Sequence, residues 1–261
     1  MNKKAIMCQL GVSNRMKKIY AFIFNGKHSF NDFRIKVKDK VVIPFPKKKV
    51  TIQDIPGGES IVIPEGDNLE KAYEDIKITL NLDILNKKIV KNKFREIKRW
   101  LSIITDDHLI FCDDPDYFYI VKDVNVPSGF EKELIDSGAT TIELTLSPFQ
   151  YSLIGQEELT LQEENYLFNP DLPSFPKIII GGEGLVSIRF NGKKVKVDVG
   201  QEIIIDVEKE LIYRESSMEN NRKTGNWEDL VLLHGDNTVI VKPYPGSRLD
   251  YVKLIPNWRS L

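Results

Sequence analysis

The clearest pattern in the chain is a strict alternation. Ile76, Ile78, Leu80, Leu82 and Ile84 take every second position against Lys77, Thr79, Asn81 and Asp83. A period of two puts the apolar set on one face, so this segment reads as a half-buried strand. Directly after it the period changes. Val90, Phe94, Ile97, Leu101 and Ile104 recur at the four-three-four-three spacing of one helical face, which predicts a helix over 87–104. Phe94 and Trp100 are read as core or edge packing. Asp113-Asp114-Pro115-Asp116 then makes a turn, because a helix does not continue through it, and Tyr117-Phe118-Tyr119 opens an extended segment.

Short apolar runs bounded by turn signals fill the rest. Ile19–Phe24 reads as a strand closed by the tight turn Asn25-Gly26. Ile35 with Val37, and Val41-Val42-Ile43, are further strand pieces, the second confined by Pro44 and Pro46 to an edge or loop. Ile55-Pro56-Gly57-Gly58 is a turn before a strand at Ile61–Ile63. Strands follow at Leu109–Cys112, Tyr117–Val124 and Thr140–Leu146, and a break is expected at Ser147-Pro148-Phe149-Gln150-Tyr151. Beyond it, Lys177–Ile180 precedes glycines 181, 182 and 184. Ser187–Phe190, Asn191-Gly192 and the alternating Val195, Val197 and Val199 read as a hairpin. Ile203–Val207, Leu211–Arg214, Leu230–Leu233, Thr238–Lys242 and Tyr251–Ile255 continue as short strands with no helical period between them. The class is mainly β, and the second half points to a sandwich of jelly-roll or related type. Residues 1–18, with Lys3, Lys4, Arg15, Lys17 and Lys18 and no acid, are expected to be a flexible leader, or an extension ahead of an alternative start at Met16. The expected domains are 19–151 and 152–261.

Charge and chemistry narrow the function. Lys and Arg total 37 against 38 Asp and Glu in 261 residues, so the formal charge is −1. That excludes a globally basic nucleic-acid binder and leaves local patches open. No apolar run is long enough to span a bilayer, and the first 18 residues lack the apolar core of a secretory signal. Cys8 and Cys112 lie in unrelated contexts, which fits a reducing cytoplasm without a disulfide, and no spacing suggests zinc. GxSxG, HExxH and P-loop motifs are missing. His28, His108 and His234 stand in separate segments; His108 follows Asp106-Asp107, but neighbours on a turn are not expected to form a base and its orienter. Glu202 with Asp206, or Glu143 with another carboxylate, reads either as a glycosidase pair or as ordinary acids on strand faces. The expectation is a protein without catalysis or cofactor.

Two charged clusters each admit several readings. The helix carries Lys87, Lys88, Lys91, Lys93, Arg95, Lys98 and Arg99 against Glu96 alone. It is a nucleic-acid surface, a solvated face, or a subunit contact in which Lys91, Arg95 and Lys98 meet Asp113, Asp114 and Asp116 of a neighbour. Asp106, Asp107, Asp113, Asp114 and Asp116 are either oxygen ligands for Ca²⁺ or turn-forming residues that bond their own backbone.

In order along the chain, several short motifs resemble the distal tail proteins of long, non-contractile-tailed bacteriophages (siphophages). They are Phe24-Asn25-Gly26, Asn31-Asp32-Phe33, the Ile55–Gly58 turn, Trp100-Leu101, Leu109-Ile110-Phe111, Asp113–Tyr119 and Ser147–Tyr151. In the second half they are Asn169-Pro170, Ser174, Pro176, Ile178–Gly181, Trp227, Leu230, Gly235, Asn237-Thr238 and Pro256–Leu261. The leader, Gly58-Glu59 and the stretch Gln156–Glu164 depart from the family.

The resemblance implies a tail-tube-like N-terminal β-sandwich with one flanking helix, six copies of which form a ring. DNA passes through its channel without specific binding. It further implies a peripheral galectin-like C-terminal sandwich, with the last residues packing back on the first domain. Implied partners are the tail-tube protein, a tail-associated hub protein, and a receptor-binding protein or other adhesin. The place is the virion tail tip, after assembly in the host cytoplasm. A galectin-like domain also brings in a carbohydrate-binding module as the alternative, with Tyr213, Trp227 and Tyr244 as sugar-stacking faces unless they fill a core or seam.

Overall fold

The computed structural model describes residues 19–54, 56, 58–59, 61–64, 73–215 and 217–261. The leader, Cys8 and part of the Ile55–Gly58 turn lie outside the described residues. The chain divides into two compact units, Met1–Gln150 with Leu261, and Tyr151–Ser260. Both are built mostly of antiparallel strands, as the alternating patterns require.

In the first unit the elements are β1 (Phe22–Phe24), β2 (Lys27–His28), α1 (Ser29–Phe33), β3 (Ile35–Val37), β4 (Val50–Gln53), β5 (Ile61–Pro64), β6 (Ile76–Ile84), α2 (Lys87–Ser102), β7 (His108–Phe111), β8 (Tyr117–Asn125), α3 (Phe130–Asp136) and β9 (Ala139–Ser152). The main sheet runs β2-β1-β7-β8-β9-β6-β3. Tyr20, just ahead of β1, bridges Val37 of β3, whose N–H donates to the Tyr20 carbonyl at 2.8 Å, so the curled sheet meets itself. Such closure removes open edges.

The alternation over β6 faces Ile76, Ile78, Leu80 and Leu82 into the core, opposite Leu146, Leu144, Ile142 and Thr140 of β9. Ile97, Trp100 and Leu101 of α2 and Phe130 and Leu134 of α3 join the same core. α2 ends at Ser102, two residues before the periodicity does, because Asn25 takes over its C-terminal carbonyls. The Asn25 side-chain amide donates to the Trp100 carbonyl at 2.9 Å and to that of Ile103, while its oxygen accepts the Thr105 N–H at 3.0 Å. Asn25 and Gly26, at φ 48° and 72°, make the turn the dipeptide predicts.

Val41–Ile43, left open between an edge strand and a loop, is a loop: Pro44 and Pro46 follow it, and among the described residues this segment joins no sheet ladder. β9 runs through Pro148, and the two units divide inside it, between Gln150 and Tyr151. The β6 ladder ends at Leu146, so the missing proline N–H is not demanded by that neighbour.

His28 caps α1 with its ring. Nδ1 accepts the N–H groups of Phe30 and Asn31 at 3.1 and 3.3 Å, and the ring is buried, with Nε2 3.7 Å from the Cys112 sulfur. Accepting through Nδ1 requires the neutral ring. Burial lowers the His28 pKa, opposed by Asp32. The unfolded chain therefore takes up the proton first as pH falls, and stability is lost below about pH 6.5, where the unfolded histidine titrates. Chemical denaturation between pH 8 and 5 should show this loss, and His28→Asn, which keeps an acceptor without a titration, should flatten it. An unchanged slope in the variant would assign the acid sensitivity elsewhere.

The second unit comprises β10 (Leu159–Thr160), β11 (Glu164–Asn169), β12 (Lys177–Phe190), β13 (Lys193–Asp206), β14 (Leu211–Arg214), β15 (Ser217–Met218), β16 (Lys223–Thr224), β17 (Gly235–Pro243), β18 (Arg248–Ile255) and β19 (Arg259–Ser260). The order is β10-β18-β12-β13-β14-β15; β17 lies between β12 and β11, and β16 joins β13. Ile178, Ile180, Val186, Ile188 and Phe190 of β12 face the core with Val195, Val197, Val199, Ile203 and Ile205 of β13.

The glycines at 181, 182 and 184 sit inside one strand, β12, which also takes in Lys177–Ile180 and Ser187–Phe190. The pairing of β12 with β18 shifts register between Gly181 and Gly182, and further along β12 pairs with β17. A bulge of this kind bends a strand so that its two halves serve different neighbours. Leu230–Leu233 is no strand; a 3-10 turn at Glu228–Leu230 leads into a bridge between Leu232 and Ser174. Leu230, Val231 and Leu232 are still buried, which is what made the run look like a strand.

Candidate functional site

The acids around β7 do not converge. Asp106 and Asp107 precede the strand and Asp113, Asp114 and Asp116 follow it, about 13 Å away for four residues at ~3.3 Å each. A single Ca²⁺ shell of six to eight oxygens does not span that distance. Asp106, Asp107 and His108 do cluster, with ligand atoms within 4.8 Å of one another. Contrary to expectation, Asp106 and His108 pair directly, Nδ1 to Oδ1 at 2.9 Å, and Asp106 also accepts the His108 N–H at 3.2 Å. The imidazole stands edge-on to Phe118, centroids 4.2 Å apart. The pair thus closes the turn into β7.

At the far end, Asp113 lies 3.9 Å from Lys40 and Asp114 accepts from Gln150 at 3.0 Å. These groups, with Val41, Ile43, Phe111, Tyr117 and Tyr119, line an open concavity of about 260 Å³. Burial, and then the nearby Asp114, raises the Tyr119 pKa, so the phenol stays protonated at neutral pH. Lys91, Arg95 and Lys98 form one exposed stripe on α2, away from buried Ile97, Trp100 and Leu101. Other lysines find partners: Lys27 with Glu96, Lys93 with the Asp32 carbonyl at 2.9 Å, and Lys87 with the Asp136 carbonyl at 2.7 Å.

Glu202 and Asp206 lie four residues apart along β13, again about 13 Å, beyond the ~9.5 Å that either glycosidase geometry uses. Glu202 accepts from the Tyr251 hydroxyl, and buried Asp206 has Lys177 at 3.7 Å. Glu143 accepts from Asn125 at 3.0 Å.

The three aromatics proposed for sugar are dispersed. Tyr213 sits opposite Ile204 of β13. Tyr244 lies under the ammonium groups of Lys194 and Lys196, 5.0 and 5.7 Å from its centroid, and the Lys194 contact lowers its pKa. Ile204 and Lys196 are eight residues apart, so about 26 Å separates these two along the strand. Trp227 is covered by Lys223 at 4.3 Å, and Lys223 pairs with inward-facing Val197. Burial lowers the Lys223 pKa, opposed by Glu228, Asp229 and Glu210. No common sugar platform includes all three.

Sequence reasoning missed the most unusual surface of the first unit. Val42 is 82% exposed, Phe45 88% and Ile52 64%, with Val50 also exposed. Ile52 and Val50 belong to the β4–β5 ribbon, which among the described residues joins no larger sheet. Two strands alone are marginally stable in water, and these apolar side chains are left facing solvent. The available signal was Phe45 between two prolines, followed by Val50 and Ile52 two residues apart.

These features define a mainly β, two-unit fold with exposed apolar and charged side chains on its first unit. No protein-family model and no curated protein matches the chain. Among solved structures, the fold is shared with the crystal structure of the Dit protein (gp 19.1) of phage SPP1, described as a paradigm of the hub adsorption apparatus in phages infecting Gram-positive bacteria. The TM-score is 0.56 at 12% sequence identity, covering 94% of this chain and 100% of that one. Among the described residues, no helix is long and apolar enough to cross a membrane.

Proposed function

We propose that this chain is a structural subunit of a bacteriophage tail tip, forming a six-copy hub ring that joins the tail tube to host-adhesion components. It works by assembly rather than by catalysis and uses no cofactor. The observation that carries this reading is the fold correspondence with SPP1 Dit over nearly the whole length of both chains. The number six, the DNA channel, and the partners rest on the siphophage resemblance of the sequence. Those partners are the tail-tube protein, a tail-associated hub protein and an adhesin. A closed ring needs head-to-tail contacts in which two different patches meet. Phe45 and Ile52 supply exposed apolar side chains for such contacts, and the stripe Lys91, Arg95 and Lys98 with Asp113, Asp114 and Asp116 supplies charged groups of opposite sign.

Light scattering and negative-stain images of the purified chain, alone and with tail-tube protein, test this. Closed rings are expected for the natural sequence. Phe45→Asp with Ile52→Asp should give monomers, with self-association weakened at least a hundredfold and the thermal midpoint within a few degrees. A natural chain that stays monomeric under both conditions would overturn the reading.

A further inference from the structure

β11 is an edge strand protected by a single charge, that of Glu164. It pairs with β17 on one side, in an unbroken register from Glu164↔Ile240 to Asn169↔Gly235. Among the described residues no strand pairs with its other side. The direction of its free groups follows from one hydrogen bond: the Val241 N–H donates to the Glu163 carbonyl at 2.9 Å. In an antiparallel ladder, bonded and non-bonded pairs alternate. Glu163, Asn165, Leu167 and Asn169 therefore bond to β17, and the N–H and C=O groups of Glu164, Tyr166 and Phe168 point out along the open edge.

The side chains of the same three residues are exposed, Tyr166 to 77% and Phe168 to 63%. Tyr166 donates to Glu164 at 2.8 Å, which holds its ring along the strand. Edges of natural sheets are blunted by charges, lysine above all, by proline or by a bulge. β11, Glu-Asn-Tyr-Leu-Phe-Asn, has no lysine, proline or bulge, and its one charge, Glu164, stands at the end of the strand; Pro170 comes only after it.

We infer that β11 is a docking edge to which an extended segment of another polypeptide adds as a strand. The main-chain groups of Glu164, Tyr166 and Phe168 would provide the ladder, and the two rings would provide contacts for alternate side chains. The fitting segment alternates apolar residues toward the Tyr166 and Phe168 face. It carries a basic residue at the acidic positions, Glu164 on β11 and Asp236 opposite Phe168. A second copy of this chain fits less well. Two six-residue edges, each about 20 Å long and one ~10 Å layer deep, would bury on the order of 400 Å². A stable interface between rigid partners needs about 1,200 Å² or more. A flexible segment can instead order along the edge and fold over the rings. This inference does not require the tail-tip reading, which the ring images test separately.

The test uses the full-length protein. Amide exchange by NMR should show the Tyr166 and Phe168 N–H groups exchanging at least a hundredfold faster than those of Asn165 and Leu167. A labelled six-residue peptide alternating valine and threonine, with a terminal lysine, should then bind by fluorescence anisotropy and slow the fast pair. Tyr166→Pro removes an outward N–H together with the ring while costing no main-chain bond to β17, and Phe168→Lys adds an edge charge. Either should weaken peptide binding at least tenfold with a thermal midpoint near that of the natural chain. Slow exchange at 166 and 168 in the free chain would overturn the inference. So would failure to bind the peptide, unchanged binding in both variants, or self-association that Tyr166→Pro abolishes.

Discussion

Trp100→Ala is expected to destabilise the first unit by about 4 kcal/mol, close to the whole stability of many small domains. The indole is 4% exposed, its ring centroid 4.7 Å from that of Phe33 and 5.7 Å from that of Phe22, on which it stacks. Its Nε1–H donates to the Phe24 carbonyl at 2.6 Å. Alanine thus opens a cavity among three phenylalanines and leaves a buried carbonyl without its donor. Trp100→Phe keeps most of the packing and loses the hydrogen bond, so it should cost about 1–3 kcal/mol. Urea unfolding followed by circular dichroism separates the two effects. A loss below about 1 kcal/mol for the alanine variant would mean that the aromatic cluster is not the centre of this core.

In the second unit the corresponding weak point has no side chain at all. A Cβ at Gly182 would fall well inside van der Waals contact with the Arg248 carbonyl oxygen, and the residue sits at φ 157°. The obstacle is backbone of the paired strand β18, so no rotamer change relieves it. Gly182→Ala should destabilise this unit by about 3 kcal/mol, from overpacking together with backbone strain. At Gly181 the first atoms met belong to the Tyr251 ring, which is 39% exposed and can swing aside. Gly181→Ala should therefore be milder, and the ratio of the two losses in thermal unfolding is the diagnostic. Equal losses would contradict the assignment of the bulge to Gly182.

Wherever burial and local periodicity agreed, the sequence was readable. Ile76–Ile84 alternates because β6 has one buried face, and α2 shows its stripe because Ile97 and Leu101 face the core. Both Asn-Gly turns are local chemistry and were legible for that reason. The errors came where tertiary context reversed a local rule. β12 runs on through three glycines because close approach of β18 needs them. The short helices α1 and α3 contain too few residues to establish a period.

β11 has its pattern inverted, with rings toward solvent and asparagines toward the sheet. Asn169 is fully buried, and its amide donates to the Leu172 and Leu232 carbonyls at 2.8 and 3.1 Å. A reading that seeks apolar residues inside passes over such a strand. The chemical readings suffered from distance: spacing along the sequence hid that β7 holds its flanking acids apart and that β13 separates Tyr213 from Tyr244.

The Asn25-Gly26 and Asn191-Gly192 turns carry one more consequence. Asparagine followed by glycine is the dipeptide most open to spontaneous ring closure, in which the next backbone nitrogen attacks the side-chain amide and ammonia is lost. Here both amides are tethered. Asn25 reaches the Trp100 carbonyl and the N–H groups of Thr105 and Asp106, and Asn191 holds Asn237 at 2.8 Å and the Thr238 N–H at 2.9 Å. The bonds that shape each hairpin also hold its amide back from the attacking nitrogen, so these turns are guarded against chemical ageing by their own geometry.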